Sequence, residues 1–182
     1  MKTLTIAAIL GTVPLCSTAL AGEPFAQTLE LQGITFAVTA TNEGSINRLT
    51  ITPTGLSGTD APQEAEIDGT VSGAEVGDLD ANGFPEIYVY VTSAGSGSYG
   101  TLVAYAVNDG KSMTPIFLPP LDESPQNAAG YMGHDEFAVL EGVLGRRFPI
   151  YAEGDTNAAP TGTFRQLQYK LTAGEAGWIL TL

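Results

Sequence analysis

Twenty acidic side chains against seven basic ones in 182 residues give a formal net charge of −13. That balance disfavours nucleic acid and anionic membranes as partners and favours basic proteins by long-range attraction. One histidine and one cysteine exclude multi-histidine metal sites and any intrachain disulfide.

The first residues read as a leader rather than as part of a fold. Met1-Lys2 is a short basic start, Leu4 to Leu15 is apolar with a break at Pro14, and Ala19-Leu20-Ala21 supplies small residues for signal peptidase. The expectation is a signal peptide over residues 1–21, cleaved before Gly22, and a single exported domain over 22–182. The apolar run is too short to span a bilayer, and no later stretch is long enough. Leu15 is large where lipid attachment at Cys16 would need a small residue, so a soluble exported product is expected. Cleavage removes Cys16 and Lys2, leaving six basic residues against twenty acidic ones. A domain of ~160 residues without cysteine must hold itself by core burial, and it is large enough to do so.

In chain order, Gly22 to Phe25 reads as a loose start. Thr28 to Leu31 and Ile34 to Thr41 are short runs of β-formers around Gly33, and Asn42-Glu43-Gly44-Ser45 is a turn. Ile46 to Ile51 continues as a strand that ends at Pro53, and Thr54 to Gln63 is a surface loop. Glu64 to Val76 alternates acidic and apolar residues, which predicts a half-exposed strand near Gly69. Pro85 to Thr92 and Thr101 to Val107 are the strongest strands. Ile87, Val89 and Val91 face one way and Tyr88 and Tyr90 the other; Leu102, Ala104 and Ala106 likewise oppose Val103, Tyr105 and Val107. Both faces are apolar, so these strands belong at the centre of a sheet, and Tyr88, Tyr90 and Tyr105 on them leave room for a homodimer surface.

Met113 to Leu118 follows, then a long loop from Leu121 to Gly133. Glu136 to Leu144 fits a strand or a turn of helix. Arg146 to Tyr151, Thr163 to Leu171 and Trp178 to Leu182 read as strands, with a loop over Ala152 to Gly162. No helical periodicity is sustained and no repeat recurs. About eight to ten short strands with regularly spaced turns predict an all-β fold, an antiparallel β-sandwich or barrel.

Asp78-Leu79-Asp80-Ala81-Asn82-Gly83-Phe84-Pro85-Glu86 places side-chain oxygens at alternate positions before a glycine, as a loop that wraps Ca²⁺ does. An EF-hand needs a bidentate acid at its twelfth position, where Val89 stands, so that reading fails. The pattern resembles the calcium loops of FG-GAP β-propeller repeats, which come in several copies; here there is one. An Asx-stabilised turn into a strand explains the same residues without metal. Calcium held by Asp78, Asp80, Asn82 and Glu86 therefore stays an alternative to no cofactor at all.

Catalysis finds little support. A nucleophile elbow would need glycine two residues before Ser98 or Ser96, and Ser96 and Ala94 stand there. His134 beside Asp135 and Glu136 reads as a solvated residue, and carboxylate pairs discriminate nothing in a chain this acidic. The expectation is a protein that is not an enzyme. Arg146-Arg147 is the only basic pair; intramolecular ion pairs on an acidic surface explain it, with a secondary partner contact as the other reading.

The segment between Glu86 and Asp109 carries no charge. Its tip, Ala94-Gly95-Ser96-Gly97-Ser98-Tyr99-Gly100, offers hydroxyls and one aromatic ring among three glycines. A flexible Gly/Ser connection would have the same composition, but such linkers carry no bulky ring at the apex. Ser96-Gly97-Ser98-Tyr99, with the D-x-D-x-N-G-F-P-E lead-in and the Y-G-T-L-V-A-Y return, resembles the periplasmic inhibitors of invertebrate-type (I-type) lysozyme, the PliI family, whose members carry a Ser-Gly-x-Tyr loop. The likeness extends loosely over residues 22–182, down to Gly-Thr-Phe-Arg-Gln-Leu-Gln-Tyr-Lys-Leu. It implies a β-sandwich that inserts this loop into the active-site cleft of an invertebrate host's lysozyme, with Ser96 and Tyr99 as principal contacts and Gly95, Gly97, Ser98 and Gly100 around them. The competing class is a calcium-dependent binding module built on Asp78 to Glu86.

Overall fold

The structure, a computed structural model, describes residues 22–175 and 177–182; the expected leader and Cys16 lie outside the described residues. The described chain is all-β apart from two short helical turns, with two sheets packed together. No helix among the described residues is long and apolar enough to cross a membrane.

The first sheet is an antiparallel meander of β1 (Phe25–Leu31), β2 (Ile34–Ala40), β3 (Ile46–Thr54) and β4 (Gln63–Asp68). Along β2 and β3 buried and more exposed residues alternate, the period-2 signature of a sheet with one dry face. Gly69 then turns the chain into the second sheet at φ +124°, and a Cβ there would meet the Thr92 carbonyl oxygen at 2.2 Å. Only glycine tolerates both the dihedral and the approach. The expected single strand over Glu64 to Val76 is thus two strands in different sheets. The acidic alternation belongs to the first of them, β4, whose glutamates Glu64 and Glu66 face solvent.

The second sheet has eight strands in the order β5 (Thr70–Gly77), β6 (Glu86–Thr92), β7 (Gly100–Asn108), β8 (Ser112–Phe117), β12 (Gly177–Thr181), β11 (Phe164–Gly174), β10 (Val143–Pro149) and β9 (Glu136–Leu140). Among the described residues twelve strands replace the eight to ten expected, and one pairing departs from the antiparallel rule: β8 and β12 run parallel. Between β8 and β9 the chain forms a 3₁₀ turn (Leu121–Glu123) and a single α turn, α1 (Pro125–Ala128), where a plain loop was expected. Arg165 Nη1 on β11 donates to the carbonyls of Asn127 (2.6 Å) and Ala129 (3.0 Å), tying that turn to the sheet. Residues 136–144, ambiguous from their pattern, cover β9 and the start of β10, joined at Gly142 with φ +71°.

This larger sheet curls until its edge strands β5 and β9 approach one another. Glu75 closes the gap: its Oε2 accepts from the Val139 amide at 2.7 Å and from the Tyr90 hydroxyl. Inside the curl lie Tyr88, Tyr90, Ala104, Ala106, Leu144, Phe148, Leu167, Tyr169, Leu171 and Leu180. On the other side of β6 and β7, Ile87, Val89, Val91 and Val107 pack against Ile34, Phe36, Val38, Leu49 and Ile51 of the small sheet. β6 therefore has both faces dry, as its composition predicts. The same fact removes Tyr88 and Tyr90 from any dimer surface, since this chain's own layers cover them.

Candidate functional site

β6 and β7 pair in register from Glu86 opposite Ala106 to Thr92 opposite Gly100, and residues 93–99 connect them. Local geometry comes from the loop itself. Ser93 N donates to the Tyr99 carbonyl (2.9 Å), Tyr99 N donates to Ser93 Oγ (3.0 Å), and Ser98 N donates to the Gly95 carbonyl (3.2 Å). Ser98 sits in the left-handed region at φ +43° and Gly95 at +125°, conformations that cost a non-glycine residue energy unless its surroundings hold it.

Those surroundings are the segment from Gly130 to Asp135. The His134 amide donates to the carbonyls of Gly97 (2.9 Å) and Ser98 (3.1 Å). Gly133, at φ +96°, lets the two backbones touch: a Cβ there would lie 1.9 Å from the Gly97 carbonyl oxygen. At the base of the loop, Gly100 N donates to Asp135 Oδ2 at 2.7 Å. The tip is thus docked on the body rather than projecting as a free finger, and Gly97 is buried.

Asp135 organises this cradle. Its side chain is 0% exposed, its Oδ1 pairs with Arg146 Nε at 2.7 Å, and its Oδ2 also accepts from the Tyr131 hydroxyl at 2.6 Å. Arg146 Nη2 donates to that same hydroxyl at 3.0 Å. Burial alone would lower the guanidinium pKa, but the charge and hydrogen bond of Asp135, with Tyr131, raise it overall. The Tyr131 hydroxyl, desolvated and bonded to Asp135, is pushed above its ordinary range. Arg146 also lies over the rings of Tyr131, Phe137 and Phe148 at 5.2–5.7 Å. Its role is internal; Arg147, by contrast, is exposed over Phe164 at 4.0 Å.

What reaches solvent is specific. Tyr99 is 43% exposed; one face of its ring lies over Gly97, where a Cβ would meet Cε2 at 2.4 Å, and its neighbour Tyr131 packs edge-on at 5.6 Å. Ser96 is exposed, its Oγ accepting at 3.5 Å from Asn157 Nδ2, which leaves its own O–H to donate outward. Gly95 is exposed, while Ser98 and Gly100 are partly covered. No charged side chain lies within the loop. His134, expected to be solvated, is half-buried, stacks near Tyr151 (6.4 Å) and has an enclosed Nε2 without a partner.

The sequence singles out the loop and gives no sign of the cradle that holds it. Asp135 and Tyr131 carry no local signal, because acids abound and the pairing to Gly100 spans 35 positions.

The second candidate cluster lies at the other end of β6, about 20 Å away at ~3.3 Å per residue. Asp78, Asp80 and Glu86 each bring a carboxylate oxygen within 4.8 Å of the others. Asp78 accepts from the amides of Asn82 (3.0 Å) and Gly83 (3.0 Å) and from Gln32 Nε2 (2.7 Å). Asp80 accepts from Asn82 N and Nδ2, and Asn82 Oδ1 accepts from Phe84 N. Asx hydrogen bonding is therefore present. Glu86 is fully buried; Leu79 N (2.8 Å) and the Tyr88 hydroxyl (3.3 Å) donate to its Oε2. Its pKa is pushed up to about 7, first by desolvation and further by the charges of Asp80 and Asp78.

Comparison with protein-family models, with curated proteins and with solved structures finds no match to this chain.

Proposed function

We propose that the chain is an exported, periplasmic inhibitor of I-type lysozyme from an invertebrate host, acting by stoichiometric occlusion and not as an enzyme. The observation that carries this reading is a charge-free loop whose backbone is fixed on the body while the Ser96 hydroxyl and the Tyr99 ring face solvent. The resemblance of Ser96-Gly97-Ser98-Tyr99 and its flanks to the PliI family supplies the partner.

The chemistry of such a partner fits the loop. A glycosidase cleft presents two carboxyl groups, one protonated and one ionised. An acidic intruder would be repelled, and a lysine would lose hydration. A neutral hydroxyl can donate to the carboxylate or accept from the acid at small desolvation cost. Tyr99 adds apolar area with two torsions to freeze and a polar end. A loop already held in one geometry has less entropy to lose on binding than a free hairpin. The acidic body steers a basic enzyme toward it.

The test is an inhibition assay against lysozymes of the three animal types with wild type, Ser96→Ala and Tyr99→Ala. Each substitution is expected to weaken inhibition by more than ~1 kcal/mol, a loss that only a minority of interface residues show. Wild-type inhibition constants in both variants, or no inhibition of any lysozyme by the parent, would refute it.

The carboxylate cluster of Asp78, Asp80 and Glu86 favours a second reading, a calcium-dependent binding module. Its position at the far end of β6 separates it from the loop, and the two readings separate in the same assay run with calcium or a chelator.

A further inference from the structure

We infer that Asp78, Asp80 and Glu86 form a structural Ca²⁺ site that clamps the Asp/Asn/Gly turn onto the root of β6, independently of what the distant loop binds. Three carboxylates lie together, and among the described residues no Lys or Arg makes an ion pair with any of them. Turn geometry accounts for the bonds to Asp78 and Asp80 and leaves Glu86 unexplained. Glu86 has no solvent exposure, and its Oε1 has no hydrogen-bond partner among the described residues. A buried acceptor without a donor is costly, and the same carboxyl group lies within 4.8 Å of two further carboxylates. A bound cation would remove both penalties together.

The donor set selects the ion. All three ligands are hard carboxylate oxygens, with no His or Cys among them, which favours calcium or magnesium over zinc or copper. The three oxygens lie within 4.8 Å of one another, close enough to share one cation. A turn of carboxylates without fixed octahedral geometry suits calcium, which accepts irregular oxygen shells, better than magnesium, which demands near-ideal geometry and dehydrates reluctantly. Asn82 Oδ1 accepts from the Phe84 amide and keeps a second lone pair. Gly83, at φ +85°, reverses the chain so that Glu86 returns to the two aspartates. Clamping at this point fixes where β6 begins in register with Gly77 and Ala106.

The experiment uses the full exported chain, residues 22–182, stripped with EDTA. Terbium is titrated first, because the Tyr88 hydroxyl lies 3.3 Å from Glu86 Oε2 and can sensitise its luminescence. Melting curves are then taken with CaCl₂, with MgCl₂ and with EDTA. Calcium at a hundredfold excess over its dissociation constant is expected to raise the midpoint by roughly 5–10 °C. Calcium should also quench the terbium signal by displacement. Asp80→Asn, partly exposed and compatible with the same turn, should abolish both effects; Glu86→Gln should do so while sparing the hydrogen-bonding shape of the side chain. A melting midpoint identical in calcium and EDTA, an equal shift with magnesium, or a calcium shift that survives in Asp80→Asn would each overturn the assignment. Inhibition constants for the loop do not enter this result, so the two proposals stand or fall separately.

Discussion

Replacing Asp135 with alanine probes the join between the body and the loop. The substitution removes one partner of a buried pair in which both side chains are nearly solvent-free, Arg146 at 6% and Asp135 at 0%. It also strips the acceptor from the Tyr131 hydroxyl and from Gly100 N. Breaking a buried pair from one side typically costs about 3–5 kcal/mol, because the surviving charge is left in a poor dielectric. Here three aromatic rings within 5.7 Å still face the guanidinium, and such contacts return about 0.5–2 kcal/mol. The expected loss is therefore near the lower bound, about 3 kcal/mol, or a fall in melting midpoint of roughly 6–12 °C for a domain of this size. Urea unfolding should show a lower midpoint with an unchanged slope. Asp135→Asn should fall between wild type and alanine, because its amide offers one acceptor where Arg146 Nε and Gly100 N approach different oxygens. Replacing both partners, Asp135→Leu with Arg146→Met, should recover much of the stability but not the hold on Gly100 N. If Asp135→Ala unfolds within about 1 kcal/mol of wild type, the pair is not the anchor described above.

The remaining predictions use the same logic at other positions. Gly133→Ala would place a methyl group 1.9 Å from the Gly97 carbonyl oxygen at φ +96°; limited proteolysis should then cut within residues 94–99, where the wild-type loop should resist. Glu75→Ala leaves the Val139 amide and the Tyr90 hydroxyl without their acceptor, so about 1–3 kcal/mol of stability and the hydrogen-exchange protection of Val139 should be lost together. Tyr99→Ala, on a ring 43% exposed, should leave the melting midpoint within a degree or two of wild type while weakening inhibition. The Asp155 carboxyl is held below its ordinary pKa by amides of Thr161 and Ala152; a depressed carboxylate stabilises above its unfolded pKa and loses this as pH falls through the folded value. Those two amides should therefore keep their exchange protection through the ordinary aspartate range near ~4 and lose it only below.

How far the residues announced this arrangement depends on where the determining contacts lie in the chain. β6 and β7 were legible because both faces are apolar at period two, and each alternation matches one of the two cores. The Asp78 turn was legible because its oxygens are two to eight positions apart. By contrast, the break at Gly69 was invisible: nothing local separates a strand that continues from one that changes sheet, and the demand for glycine comes from Thr92. The hairpin of β9 and β10 was obscured because Leu140 and Val143 flank its turn and carry the apolar run through it. The cradle was hidden for the same reason as Gly69. Asp135 is one carboxylate among many until folding brings Arg146, Tyr131 and Gly100 around it.

β6 explains how stability can be separated from the recognition proposed for the loop. On its inner face Glu86, Tyr88 and Tyr90 are apolar-packed residues with polar ends, and each end is tied to another group: Leu79 N to Glu86, Tyr88 to Glu86, Tyr90 to Glu75 at the seam of the curled sheet. The strand then delivers the chain to a loop fastened by His134 N, Ser93 and Asp135. The hold on the tip therefore originates in groups outside the contact proposed for a partner. The atoms left for a partner, the Ser96 hydroxyl and the outer face of Tyr99, contribute little to holding the fold. Substitution at Asp135 must cost stability and loop geometry together, whereas substitution at Tyr99 can cost affinity alone. A loop of this composition without the cradle would have to lose its conformational freedom on contact, at about 1–2 kcal/mol per residue ordered. Docked as it is, it meets any partner with most of that cost already met in folding.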